Sequence, residues 1–392
     1  MIKLADKNAC TGCSACKAIC PQNAISMVAD AEGFLRPSID DARCVKCGLC
    51  TNVCPVLTKM EPRQPLVVYA AKAKDDELRA KSSSGGVFSL LARAVFAEGG
   101  IVFGAGFDRN DWHVMHKSAE NEEELEDLRG SKYVQSEMGD VFRQVKLELS
   151  KNRKVLFTGT PCQIAGLRLF LGKQYDNLLM VDVVCHAAPS PLVWKKYLRE
   201  RLSAAGYESG GDIPFITKIS FRNKKYGWKK FSLFLSFSNS MEYLEDLTKD
   251  VFLRGFLLEL YNSKSCHDCK CRELKSGSDL TIADYWRVYE KKPEMDDDKG
   301  TSLVLVNTCK GELFWQKIEH FLDTAVSSIE DAIRVNPAIV KSPLGNKRRE
   351  IFFSKLNKTA SVDRLVINLL TPPLWKKVLC FIKKILKKVA GK

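Results

Sequence analysis

The chain has 392 residues, 45% hydrophobic and 28% charged; this is globular composition, long enough for two or three domains with real cores, and it excludes a disordered or fibrous chain. Net charge is +14, and half of it comes from the seven lysines of residues 371–392, where no acid offsets them. The N-terminus reads without a secretory signal and no apolar run reaches the roughly 18 residues that span a bilayer, so the fifteen cysteines point to metal in the cytoplasm rather than to a disulfide framework.

Residues 1–60 contain an internal repeat. Cys10, Cys13, Cys16 and Cys20 are spaced C-x2-C-x2-C-x3-C and followed by Pro21; Cys44, Cys47, Cys50 and Cys54 repeat that spacing before Pro55. This is the run of two-cluster bacterial ferredoxins. Three cysteines at intervals of three wrap a loop around one cubane, with backbone N–H groups aimed at the sulfurs. The fourth, set off by a short turn and proline, faces the other cluster. The reading therefore assigns Cys10, Cys13, Cys16 and Cys54 to one [4Fe–4S] cluster, and Cys44, Cys47, Cys50 and Cys20 to the other. Structural zinc joins isolated ligand pairs into one tetrahedral set, which explains two tandem four-cysteine runs poorly. An α+β ferredoxin-like module is expected, with the proline-bearing segment 61–66 as a stiff linker.

The pattern then changes to alternating strands and helices. Residues 66–73 read as a strand, and Ser82-Ser83-Ser84-Gly85-Gly86 opens a helix over 87–97. A strand follows at 101–107, a helix at 138–149 and a strand at 154–158. Gly159-Thr160-Pro161-Cys162 leads into a helix over 163–171, and strand 178–184 ends at Cys185-His186. This rhythm predicts an α/β domain with a largely parallel sheet over 67–186. Residues 187–340 read as an α+β second half, with a helix at 192–201, β-rich runs at 216–222 and 231–237, and a helix at 251–261. Gly104-x-Gly106 has no following helix and is not a dinucleotide fingerprint.

Cys162 and Cys185 each fall just past a predicted strand, and one crossover helix joins those strands. Consecutive strands of a right-handed βαβ unit lie side by side, so both thiols are expected on the sheet edge where α/β folds bind ligands. Cys266-x-x-Cys269-x-Cys271 follows the helix over 251–261. Four readings stay open: a third four-thiolate site, a nucleophilic Cys162 at a helix N-terminus, a zinc or redox pair at Cys266 and Cys269, or any single cysteine as a buried small hydrophobe. Cys309 reads as core.

Several strings together resemble one family: 82–89 (SSSGGVFS), 130–136 (GSKYVQS), 159–167 (GTPCQIAGL), 182–186 (DVVCH), 266–269 (CHDC) and 278–286 (SDLTIADYW). They look like the beta subunit of coenzyme F420 hydrogenase and F420-dependent dehydrogenases, to which 7-hydroxymethyl chlorophyll a reductase is related. The likeness runs over about residues 1–340. It implies FAD beside a third [4Fe–4S] cluster in the body, with Cys162, Cys185, Cys266 and Cys269 as ligands and Cys271 in reserve. Members of this shape also occur in bacteria among genes for surface polysaccharide synthesis, so the family name does not make F420 the substrate.

Chemistry adds to the flavin reading. Clusters pass single electrons and nicotinamides or deazaflavins pass hydride; a flavin joins the two. Ser82, Ser83, Ser84, Gly85 and Gly86 at a helix N-terminus suit a flavin diphosphate, although without the resemblance a serine N-cap with a tightly packed glycine pair is the better reading. Thr158, Gly159, Thr160 and Pro161 are candidates for the ring's neighbourhood, Lys132, Tyr133 and Gln135 for its polar edge, and His186 either for proton donation or, at least as well, for a structural hydrogen bond. The alternative to a flavoprotein oxidoreductase is a non-catalytic electron carrier or redox sensor docked to a partner enzyme or a membrane.

Residues 341–392 form a basic tail. Over 374–389 the apolar residues fall on one side of a helix and six lysines on the other. With its tryptophan, this resembles an interfacial helix for an anionic membrane surface. The basic stretch 222–230 reads as a hairpin, and nucleic acid is not an expected partner.

Overall fold

The computed structural model describes residues 4–209 and 214–371. In chain order its strands are β1 (Ile25–Ala29), β2 (Leu35–Ile39), β3 (Val67–Ala73), β4 (Ile101–Phe107), β5 (Val114–Ala119), β6 (Val155–Gly159), β7 (Leu178–Val183), β8 (Ile216–Asn223), β9 (Ser232–Phe237), β10 (Glu242–Asp246), β11 (Leu280–Asp284), β12 (Ser302–Val306) and β13 (Leu322–Ser327).

In the first module each cysteine loop must turn sharply. Ser14 (φ 65°) and Gly48 (φ 79°) take left-handed conformations, and the short helices Ala15–Ile19 and Leu49–Asn52 start directly after them. β1 and β2 pair antiparallel between the two loops, giving an α+β ferredoxin-like module.

The body is built on an eight-stranded sheet in the order β13-β3-β12-β11-β7-β6-β4-β5. The largely parallel sheet expected from the sequence does not form. β4, β6, β7 and β11 run parallel, but β5 folds back on β4, and β12, β3 and β13 join by antiparallel pairs. A separate three-stranded sheet, β10-β9-β8, is also antiparallel. Strand direction follows the connections. Helix Pro161–Leu171 carries the chain back between β6 and β7, which pair parallel. A short turn joins β4 to β5, and only 3-10 turns separate β11 from β12, so those pairs reverse. β12 and β13 are joined by helix Cys309–Ile318 and flank β3 on either side, antiparallel to it. Cys309, expected in the core, is exposed, because Thr308 caps this helix, its Oγ1 accepting from Gly311 N at 3.0 Å.

The ferredoxin-like module shares a core with the body. Cys13, Ala15, Ala18 and Val53 lie in one apolar cluster with Phe142, Phe157, Ile164 and Phe170. Gly166 of helix Pro161–Leu171 permits that contact, since a Cβ there would sit 3.0 Å from Cys13 Sγ. Arg143 Nε donates to Ala18 O at 2.9 Å and its Nη2 to Cys20 O at 3.0 Å. Arg36 Nη2 reaches Ser263 Oγ at 3.1 Å, and Arg349 pairs with Glu32. No helix among the described residues is long and apolar enough to cross a membrane. The amphipathic helix expected over 374–389 lies outside the described residues.

Candidate functional site

The two cysteine runs interleave. Cys20 of the first run lines one small cavity with Cys44, Cys47 and Cys50 of the second, and Cys20 Sγ accepts from Ala24 N at 3.3 Å. Cys47 is exposed and Cys50 buried, so this set reaches the surface through Cys47. On the inner side, burial pushes the Cys16 thiol up to about 12, and Cys10 and Cys54 add to the rise. Cys54, from the second run, thus stands with cysteines of the first. Cys13 is buried; burial pushes its thiol well up, and Cys16, Cys162 and Cys10 contribute. Cys10 Sγ accepts from Gly12 N at 3.4 Å. Four soft donors with N–H groups on their sulfurs fit an iron–sulfur cluster. Burial raises the Cys13, Cys16 and Cys54 thiols, so loading metal there must release protons.

Cys162 connects this first-module set to the body. It follows Pro161 at the start of its helix, with Thr160 Oγ1 3.2 Å from its Sγ. Cys185 lies just past β7, the parallel neighbour of β6, so both thiols share one sheet edge. Burial raises the Cys185 thiol well above its ordinary value, with Cys266, Cys162 and Cys269 adding to it. Burial likewise pushes Cys266 up to about 12, reinforced by Cys269 and Cys162, while a backbone N–H opposes; that donor is Ala188 N, 3.3 Å from Cys266 Sγ. Cys162, Cys185, Cys266 and Cys269 therefore share one neighbourhood, each of them partly exposed. Cys271 is buried beside Cys269 and hydrogen-bonded to it.

Above this edge opens a cavity of about 940 Å³, at the upper end of ligand sites. Ser82, Ser83, Ser84 and Gly86 form one wall. Gly86 (φ 96°) starts helix Val87–Ala97 with no side-chain cap, so the first-turn N–H groups are left for a ligand. Gly85 does not line the cavity: its N donates to Ser302 Oγ at 3.0 Å, and a Cβ would sit 2.3 Å from Ala71 O. Thr158, Gly159 and Thr160 line it with Cys162, and Pro161 does not.

Lys132, Tyr133, Gln135 and His186 line the cavity as well, but much of their polar capacity is occupied. Lys132 Nζ donates to Asp127 O at 3.0 Å and Arg129 O at 2.8 Å, leaving one hydrogen; burial brings its pKa down to about 7, Asp127 opposing and Lys117 assisting. Tyr133 stacks on Phe256 with centroids 4.9 Å apart. Gln135 grips the ferredoxin-like module, its Oε1 accepting from Leu35 N at 2.9 Å and its Nε2 donating to Thr11 O at 3.3 Å. Thr11 and Gly12, from the first cysteine loop, are therefore part of the cavity wall.

Three further features had no sign in the sequence. His116 is buried under the cavity, its Nε2 donating to Thr158 O at 3.1 Å and its Nδ1 accepting from Ser136 Oγ at 2.7 Å. Burial holds it neutral, with a pKa down to about 4 although the Thr158 carbonyl opposes. Arg222 on β8 pairs with Asp284 at 3.0 Å and lies 4.9 Å from the Trp286 ring. Trp286 and Asp284 stand in the string 278–286, but no pattern joins them to Arg222. Glu259 is buried between His186 and His267.

Families of known proteins match both the cysteine module and the body. The family covering the C terminus of the coenzyme F420 hydrogenase/dehydrogenase beta subunit matches residues 152–332, and the corresponding N-terminal family matches 68–143. A 4Fe-4S dicluster domain matches 9–57. The chain is 28% identical over 188 residues to a subunit of the F(420)H(2) dehydrogenase of Methanosarcina mazei, covering 45% of this chain and 53% of that protein. It is 26% identical over 205 residues to an uncharacterised protein of Methanocaldococcus jannaschii, covering 44% and 56%. The chain thus spans about half the length of these curated relatives. Among solved structures, a chain of the F420-reducing [NiFe] hydrogenase complex from Methanosarcina barkeri aligns at TM-score 0.46 and 16% identity, over 76% of this chain and 95% of that one.

Proposed function

The chain belongs to the family of coenzyme F420 hydrogenase/dehydrogenase beta subunits and carries an N-terminal 4Fe-4S dicluster domain, and from that premise we propose an iron–sulfur flavoprotein oxidoreductase acting on an organic substrate. One observation carries the reading. A single cavity is walled by an uncapped helix N-terminus, by the thiol-bearing loops of Cys162 and Cys185, and by Thr11 and Gly12 of the dicluster domain.

In this reading Cys162, Cys185, Cys266 and Cys269 hold a third [4Fe–4S] cluster, and FAD fills the cavity. A flavin supplies there the exchange between one-electron and two-electron chemistry. Ser83, Ser84 and Gly86 would hold its diphosphate with backbone N–H groups, beside Ser82, whose own N–H is donated to Arg79 O. Thr158, Gly159 and Thr160 lie against its ring, and Lys132 offers its remaining hydrogen to the ring's polar edge. Gly85 and Pro161 support these loops from behind. Gln135 fixes the dicluster domain against the wall, and His186 carries a proton at the cavity. The relative in Methanosarcina mazei is named as a dehydrogenase subunit, the ground for proposing a protein redox partner here. The basic run 371–392 is proposed to hold the protein at an anionic membrane surface.

The test is acid release of flavin from anaerobically purified protein, identified by chromatography. About one FAD per chain is expected. No flavin in a preparation whose iron content shows intact clusters overturns the proposal and leaves an electron carrier or sensor.

A further inference from the structure

We propose that Glu259 is a positioning residue for the inner cluster: one buried carboxylate holds two ligand-bearing loops, Cys185-His186 and Cys266-His267, in register through their histidines. The proposal rests on the reading of Cys162, Cys185, Cys266 and Cys269 as cluster ligands.

The sequence places a histidine directly after a cysteine at two distant points. The fold brings both imidazoles to Glu259, whose side chain is 7% exposed. Its Oε1 meets His186 Nε2. Its Oε2 lies 3.2 Å from His267 Nε2 and accepts from Asn262 Nδ2 at 2.7 Å. Gly345 closes over His267, since a Cβ there would come 2.9 Å from Nδ1. One carboxylate therefore ties the loop after β7 to the loop after helix Val251–Leu257.

The backbone gives an independent reason to assign Glu259 a purpose. Helix Val251–Leu257 ends in a Schellman turn: Leu260 N donates to Gly255 O at 2.9 Å and Glu259 N to Phe256 O at 3.0 Å. Glu259 occupies the left-handed position of that turn, at φ 58°. Glycine is the residue this position favours, because an L side chain crowds its own carbonyl there. A helix stop alone would be better served by glycine. The glutamate makes up the strain through its contacts, and two of those contacts are the histidines beside Cys185 and Cys266. Outer partners of this kind fix the orientation of metal ligands.

Glu259→Gly is the decisive variant, because it removes the carboxylate while relieving the backbone. The full chain is purified anaerobically, and iron per chain, far-UV circular dichroism and the EPR spectrum of the dithionite-reduced protein are measured. Wild type is expected to hold about twelve iron atoms in three clusters. Glu259→Gly is expected to keep the wild-type circular dichroism, yet to lose about four iron atoms or shift the inner cluster's EPR signal. Glu259→Gln, which keeps an acceptor for one histidine, recovers part of that loss. A Glu259→Gly protein with wild-type iron and a wild-type EPR spectrum overturns the proposal. A wild-type count of about eight iron atoms, unchanged by Cys162→Ala, removes the inner cluster itself and so marks a failure of the underlying reading.

Discussion

The outward cysteine set and the inner thiol set place the same donor chemistry on opposite kinds of scaffold. Cys20, Cys44, Cys47 and Cys50 come from two short runs whose loops turn on left-handed residues, and a small hairpin, β1 and β2, holds them together. Cys162, Cys185, Cys266 and Cys269 come from a helix start, a strand end and a distant loop; only the body sheet brings them together. A site of the first kind depends on local turns. A site of the second kind would depend on the whole body's stability and, as proposed above, on outside support of the sort assigned to Glu259.

The largest expected effect that sharpens this contrast is in Gly85→Ala. Its Cβ would meet Ala71 O at 2.3 Å and Ser302 N at 2.7 Å, backbone atoms that cannot step aside. A loss of about 3 kcal/mol is expected, read by chemical unfolding, with inner iron released at lower denaturant than the N-terminal iron. Simultaneous release of all iron would erase the distinction between local and assembled sites. Gln135→Ala comes next. It leaves Leu35 N and Thr11 O without their partner, which costs about 2 kcal/mol at the junction. Hydrogen exchange at Leu35 should then rise while exchange within β6 and β7 stays slow. Equal loosening of both regions would mean that the two units are one cooperative body.

The smallest effect is a pH dependence. Unfolded His116 takes up a proton near its ordinary 6.5 and folded His116 only at about 4. Between these values the unfolded state binds more protons, so the contribution is present above 6.5 and is lost as pH falls toward 4. From pH 7 to pH 5.5 the body is expected to lose about 1 kcal/mol. His116→Gln should flatten that dependence in the body while leaving the N-terminal module unchanged. A slope retained in the variant would assign the effect elsewhere.

What could be read from sequence follows the same divide. The repeated C-x2-C-x2-C-x3-C-P runs point to ligands and their crossed pairing, because both depend on loop spacing alone. The adjacency of β6 and β7, and with it the shared edge of Cys162 and Cys185, follows from a crossover helix flanked by apolar strands. Strand direction elsewhere was not legible. β12 and β13 alternate with a helix as parallel strands do, yet both pair antiparallel with β3. β5 was missed because Met115, His116, Lys117 and Ser118 interrupt its apolar pattern, and His116 was missed with it. Gly85 looked like Gly86 in sequence; only the contact with Ala71 and Ser302 separates a packing glycine from one at the cavity. Glu259 left no mark in the sequence, since neither a left-handed backbone nor convergence of two histidines has a local signature.

The central claim is that a cluster assembled by the body links the dicluster domain to the cavity. Its most direct measurement is iron per chain in wild type and Cys162→Ala, purified side by side under anaerobic conditions. About twelve iron atoms falling to about eight, with the N-terminal clusters' EPR signals retained, is the predicted result. Equal iron in the two proteins would contradict it.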